Sequence, residues 1–152
     1  MNLQSVFSKD SIIPDLQSTD KEELFEEMLQ AVINVQSDLN REEALSALKE
    51  REEKMTTGII HAVAVPHCRI DTVRGVVGSV GIAKKGIDYD SLDGQPVHFV
   101  FMLICNSMED ALHLEVLKAL SFALKNPLFI QNLSECKTSD DIYNLLGKTE
   151  FF

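Results

Sequence analysis

Four histidines, His61, His67, His98 and His113, are the side chains of this 152-residue chain best suited to chemistry near neutral pH. His67 has the most suggestive setting. It follows Pro66 at the end of the alternating run Val63-Ala64-Val65. Proline fixes its own φ and pushes the preceding residue toward an extended conformation. Val65 is therefore expected to end a strand, with His67 just beyond it. That is the C-terminal mouth of a buried strand, where open α/β sheets place their sites. A neutral imidazole there is a competent nucleophile.

The other candidates are read against plainer roles. His113 shares a helical face with Leu117, Leu120 and Leu124, which suits a buried core histidine. It also falls in the first turns of its helix, an end that attracts phosphate and favours a neutral, hydrogen-bond-donating imidazole. His98 lies inside the apolar run Val97 to Ile104 and is expected to be structural. His61 precedes the His67 strand as a rim residue or a donor behind it. Arg51 stands just before the loop into that strand. It is either solvated beside Glu50 and Glu52 or turned inward.

Several chemistries lack their signatures. There is no G-x-S-x-G, no H-E-x-x-H and no pair of zinc ligands at helix spacing. A zinc site from His61, His67, Cys68 and His113 would need an unusual adjacent pair. Gly75, Gly78 and Gly81 do not form a dinucleotide loop. Two classes stay open from the residues alone. One is group transfer at His67; the other is a non-enzymatic module binding a small anion or metal through the same histidines.

Composition narrows the partners. Asp and Glu number 24 against 14 Lys and Arg, a net charge of −10. That balance argues against nucleic acid or an anionic membrane surface, while leaving room for a local basic pocket. Cys68, Cys105 and Cys136 are odd in number and widely spaced, as expected of free thiols in a reducing compartment. The N-terminus has no basic region followed by an apolar run, and no stretch reaches the ~18 apolar residues of a membrane span. A cytoplasmic protein without membrane insertion is expected.

The elements that must position the histidines follow from periodicity. Val6-Phe7 and Ser11-Ile12-Ile13 are short apolar groups, the second demoted by Pro14 to an edge strand or turn. Thr19 and Glu22 have capping-box form ahead of a helix over roughly 20–36. Asn40 can cap a second helix that ends near Lys54, with Leu45 and Leu48 inward. A glycine-bearing strand is expected over 73–84, with bulges or a close backbone neighbour. A polar connection covers 87–93. Val97 to Ile104 reads as a central strand covered on both faces. Ser107 with Asp110 should start the next helix. Asn126-Pro127 should stop and restart it. Thr138 with Asp141 should cap a last helix closed by Gly147. The sum is one α/β domain, a mixed β-sheet flanked by helices on both faces.

With these residues in place, the chain resembles the fructose/mannitol-type enzyme IIA of the bacterial phosphoenolpyruvate-dependent sugar phosphotransferase system. The resemblance runs through Arg51-Glu52, Thr57-Gly58 and Ala64-Val65-Pro66-His67. It continues through Gly86-Ile87-Asp88, Asp93-Gly94, Pro96-Val97, Val100-Phe101 and His113-Leu114. It covers nearly the whole chain, implying one such domain over residues 1–152. It implies that His67 accepts a phosphoryl group, that His113 supports it and that Arg51 binds phosphate nearby. The donor would be the histidine-containing phosphocarrier protein and the acceptor a IIB component of a sugar permease, with no cofactor and no metal. A regulatory relative of the nitrogen or potassium type, without transport, stays within the same resemblance. Attack through Nε2, with Nδ1–H on a backbone carbonyl, and a shallow apolar rim for docking are also implied. Ile60 and Ala62 stand where the family commonly has glycine, and Cys68 where a small residue is usual.

Overall fold

A computed structural model describes residues 3–59 and 61–148, so Ile60 lies outside the described residues. After a short 3-10 turn at Leu3–Ser5, the elements in chain order are β1 (Phe7–Ile13), α1 (Lys21–Val35), α2 (Arg41–Lys54), β2 (Val63–Ala64) and β3 (His67–Ile70). There follow β4 (Val76–Ile87), β5 (Val97–Asn106), α3 (Asp110–Lys125), α4 (Pro127–Glu135) and α5 (Ser139–Leu146). No helix among the described residues is long and apolar enough to cross a membrane.

The apolar run at Val97 becomes the axis of the sheet. Side chains alternate between faces along a strand. Val100, Met102 and Ile104 of β5 pack under α1 and α2, with Leu24, Met28, Leu29 and Leu48. Phe99, Phe101, Leu103 and Cys105 face α3, α4 and α5, with Val116, Leu120, Leu133 and Ile142. Burying each large apolar side chain contributes about 1.5–3 kcal/mol, so a strand buried on both faces anchors both helical layers. The sheet order is β1-β4-β5-β2, with β3 also on β5. β4 and β5 are antiparallel, and the other pairings are parallel. The mixed sheet between helical layers is the architecture expected.

One expectation changes in a way that matters for His67. β2 does end beside Val65, at Ala64, but pairing resumes at His67. Val63 pairs with Phe99 and His67 with Leu103, so β2 and β3 run along β5 in one continuous register. Pro66 has no N–H for the ladder and breaks the strand, but its carbonyl still accepts from Leu103 N at 3.0 Å. His67 therefore opens a second strand segment at a break in the sheet edge, rather than standing beyond a strand end.

Other differences are local. Asp20, not Thr19, caps α1, its carboxylate accepting from Glu23 N; Thr19 instead donates to Glu23 Oε1 at 2.6 Å. Ser107 does not cap α3: its hydroxyl bonds Asp71, and the cap position is Glu109. Phe7 and the Ser11-Ile12-Ile13 group join in the edge strand β1, with Val6 in the turn before it. The glycine-bearing strand is shifted to Val76–Ile87, because Gly75 takes a left-handed φ of 63° just before it. A close neighbour is present, as expected: a Cβ on Gly78 would lie 2.4 Å from the Met102 carbonyl. Asn40, Asn126 and Thr138 cap their helices, and Gly147 closes α5.

The turn into β2 is strained. His61 and Ala62 both hold φ values in the left-handed region, 61° and 68°. Non-glycine residues there cost on the order of 1–3 kcal/mol each. The conformation is held by the Ala62 carbonyl, which accepts from His98 N at 2.8 Å and Phe99 N at 3.0 Å.

Candidate functional site

Because β3 lies at the sheet edge, its alternation divides its four residues. Cys68 and Ile70 join the core beneath α1 and α2. His67 and Arg69 point the other way, toward the open edge between α2 and α3. Cys68 behaves as a structural thiol: burial pushes its pKa up to about 12, and its sulfur lies 3.8 Å from the Ala44 carbonyl.

The break at Pro66 gives His67 its chemistry. Val65 turns its carbonyl toward the ring and lies 2.8 Å from Nδ1. A carbonyl only accepts, so Nδ1 carries the proton and the lone pair sits on Nε2. Burial lowers the His67 pKa below the ordinary imidazole value. The Val65 bond opposes that shift, Arg51 and Arg69 add to it, and Glu52 counters it. His67 is thus a neutral imidazole at pH 7, with Nε2 available as a nucleophile.

His113 reaches the same place from the first turn of α3 and is buried. Its ring centroid lies 5.6 Å from that of His67, tilted by 45°. Burial lowers its pKa as well, reinforced by His67 and Arg69 and opposed by Asp110. Its Nδ1 lies 2.7 Å from Cys105 Sγ.

Arg51 sits in the last turn of α2, where its guanidinium donates to the Met55 carbonyl at 2.8 Å. That contact ties it to the helix C-terminus, which favours cations. It lines a cleft of about 490 Å³ together with His67, His113, Lys54, Arg69 and Leu114. Glu50 and Asp110 also line it, and Arg69 is ion-paired with Asp110. The cleft thus gathers three cations and two histidines in a chain of net charge −10. Its rim is mainly charged rather than apolar as expected; Ala47 and Leu114 are its apolar side chains besides buried Cys68.

The loop carrying this strand is fixed from behind by Glu52. Its carboxylate accepts from Thr57 N at 2.8 Å and from Thr57 Oγ1 at 2.5 Å. Tyr89 OH adds a bond at 3.2 Å, and Lys21 Nζ an ion pair at 2.9 Å. Lys21 also lies over the Tyr89 ring, 4.2 Å from its centroid. Burial pushes the Glu52 pKa up, but the bonds from Thr57 and Lys21 outweigh it and the net shift is down. The Arg-Glu and Thr-Gly pairs therefore separate by role: Arg51 faces the cleft, while Glu52 clamps Thr57.

The remaining histidines lie elsewhere. His98 is structural as expected, its Nδ1 2.8 Å from the Ala83 carbonyl. His61 is exposed and lines a different groove, with Ile59, Val63, Leu124 and Pro127. It does not join His67, and the four-ligand zinc set is not assembled. No group of three or more His, Cys, Asp or Glu able to hold a metal occurs among the described residues. Sequence reasoning missed Arg69, Asp110 and Cys105. The one available signal was the His67-x-Arg69 spacing, which puts both on one face once 67–70 is read as a strand.

Comparison with known proteins adds the context. The sequence pattern of the family described as phosphoenolpyruvate-dependent sugar phosphotransferase system, EIIA 2, matches residues 5–149. The chain is 32% identical over 149 residues to the PTS system fructose-specific EIIABC component of Bacillus subtilis (strain 168), covering 97% of this chain and 23% of that protein. It is 25% identical over 147 residues to a nitrogen regulatory protein of Bradyrhizobium diazoefficiens, covering 97% and 95%. Among solved structures, nitrogen regulatory protein IIA-Ntr from Neisseria meningitidis superposes with a TM-score of 0.87 at 25% identity, over 95% of this chain and 98% of that one. The mannitol enzyme IIA of Escherichia coli, solved in complex with its phosphorylated enzyme IIB, shares the fold with a TM-score of 0.74 at 19% identity, over 93% and 99%.

Proposed function

This chain belongs to the EIIA 2 family of the phosphoenolpyruvate-dependent sugar phosphotransferase system, and on that premise we propose that it relays a phosphoryl group through His67. The group comes from the phosphohistidine of the carrier protein. It passes to a IIB component serving uptake of a sugar of the fructose or mannitol class, on the cytoplasmic side of the membrane. Residues 1–152 act as one such domain.

The observation that carries this reading is the 2.8 Å contact between His67 Nδ1 and the Val65 carbonyl. It commits the proton to Nδ1 and the lone pair to Nε2. In the transfer, the bond from Nε2 to phosphorus forms as the carrier's nitrogen–phosphorus bond breaks, and that bond's electron pair returns to the carrier's imidazole. The transition state is loose, so positioning and charge neutralisation do most of the work. Arg51 supplies a fork of donors to the phosphoryl oxygens, and His113 a further donor. The step needs neither metal nor nucleotide.

A second reading rests on the likeness to nitrogen regulatory proteins over nearly the full chain. There, the phosphorylated state is itself the signal, and no sugar follows. Both readings share the first step and differ in the second. The test supplies phosphoenolpyruvate and the two general phosphotransferase proteins, then a IIB partner. Intact mass should rise by one acid-labile phosphoryl group and fall again when IIB is added. Loading without discharge to any fructose- or mannitol-type IIB selects the regulatory reading. No loading at all overturns the relay and leaves an anion- or metal-binding module.

A further inference from the structure

The relay reading uses His113 as a donor, yet a neutral imidazole can carry its proton on either nitrogen. Only the Nε2–H form offers a donor from the edge that Cys105 leaves free. The structure has a device that makes this choice. Cys105 lies on β5 opposite Arg69 of β3 and Val76 of β4, and is fully buried on the α3 side of the sheet. Its sulfur is 2.7 Å from His113 Nδ1.

The direction of that bond follows from the groups. Burial pushes the Cys105 pKa up to about 12, so the sulfur keeps its proton at neutral pH. Burial also holds His113 in its neutral form. A neutral thiol and a neutral imidazole can pair in two ways. The imidazole lone pair is the stronger acceptor of the two, since sulfur accepts only weakly. The thiol therefore donates and Nδ1 accepts.

We propose that Cys105 is a positioning residue, whose S–H donates to His113 Nδ1 and fixes the Nε2–H tautomer for contact with a phosphoryl group on His67. The inference rests on the relay reading for its purpose, but the tautomer stands independently of transfer. The arrangement places both imidazoles in opposite roles within one cleft. Val65 holds the His67 proton on Nδ1 and bares Nε2, while Cys105 occupies His113 Nδ1 and leaves the proton on Nε2.

The test is NMR of the full chain labelled at the histidine ring nitrogens, in wild type, Cys105→Ala and Cys105→Ser. Wild type should show His113 Nδ1 at an unprotonated shift and Nε2 at a protonated one. Cys105→Ala should move both toward exchange-averaged values. Cys105→Ser, whose hydroxyl can donate, should restore the wild-type pattern. In the transfer assay Cys105→Ala should slow loading about fivefold, a fraction of the ~10²-fold that losing a catalytic donor outright costs. The serine variant should recover most of it, with KM for the carrier unchanged in both. A protonated His113 Nδ1 in wild type overturns the proposal, as does an alanine variant with unchanged nitrogen shifts. A relay that fails in wild type while the tautomer pattern holds tells against the relay reading, not against Cys105.

Discussion

Arg51 and Glu52 are adjacent on α2, yet they serve regions built on opposite rules. Glu52 looks into a closed network in which Thr57, Tyr89 and Lys21 meet its oxygens, and its side chain is 8% exposed. Arg51 looks into an open cleft with two histidines, Lys54 and Arg69. In the clamp, polar groups are matched within the chain, which makes it rigid and intolerant of loss. In the cleft, Nε2 of His67 and several cationic donors keep capacity for something that arrives from outside. A motif that reads as one unit in the sequence thus divides between holding the loop and lining the cleft.

Variants should separate the two regions by which quantity they move. The largest expected effect is His67→Ala, which should abolish phosphoryl loading while costing about 1 kcal/mol of stability for its one lost hydrogen bond. Intact-mass and urea-unfolding measurements on the same preparation check both halves. Next, Arg51→Ala should slow loading on the order of 10²-fold, as loss of a positioned charge donor does. His113→Ala should remain loadable but slower, on the order of 10²-fold, as loss of a hydrogen-bond donor does. Arg51→Ala should keep a near-wild-type urea midpoint, while His113→Ala should lower it, since a buried ring and its contact with Cys105 are lost.

Glu52→Ala should reverse the pattern. Removing one partner of a buried ion pair should cost about 2–4 kcal/mol, somewhat below a fully buried case because Lys21 retains access to water. Loading per folded molecule should hold near wild type. Arg69→Ala should move stability by less than about 1 kcal/mol, since its pairing with Asp110 is largely exposed, and slow loading by a few fold.

The smallest effect is in pH dependence, where the two regions should unload separately. His67 and His113 have folded-state pKa values below the ordinary 6.5. The unfolded chain therefore binds their protons first, and stability is lost as pH falls from about 6.5 toward the folded values. Glu52 is depressed below its ordinary 4.5, so its contribution is present above that value and lost as pH falls further. Urea midpoints measured from pH 7 down to about 3 should decline in two stages. The His67→Ala, His113→Ala double variant should lose only the upper stage.

What the sequence made legible were features decided by neighbours along the chain. Asn40, Asn126 and Thr138 cap helices because their side chains reach amides two or three residues on. α1 is capped one residue later than the Thr19 pattern suggests, because Asp20 is an equally capable cap. The long apolar run of β5 announced a central strand. His67, His113 and Arg51 line one cleft. The rest depended on contacts distant in sequence. Proline does break the strand at Pro66, but only the register of β5 reveals that pairing resumes at His67. Arg69 joins the cleft, and Cys105 meets His113, only once β3, β5 and α3 are packed together. Ala62, where glycine was the expected family residue, holds the left-handed φ a glycine would take freely.

The central claim is that phosphoryl transfer is through Nε2 of His67, because Val65 holds the proton on Nδ1. The most direct measurement is NMR of the loaded protein, labelled at the histidine ring nitrogens, reading phosphorus–nitrogen coupling. The account predicts coupling to Nε2 of His67, with Nδ1 still protonated. Coupling to Nδ1, or to a nitrogen of His113, would contradict it.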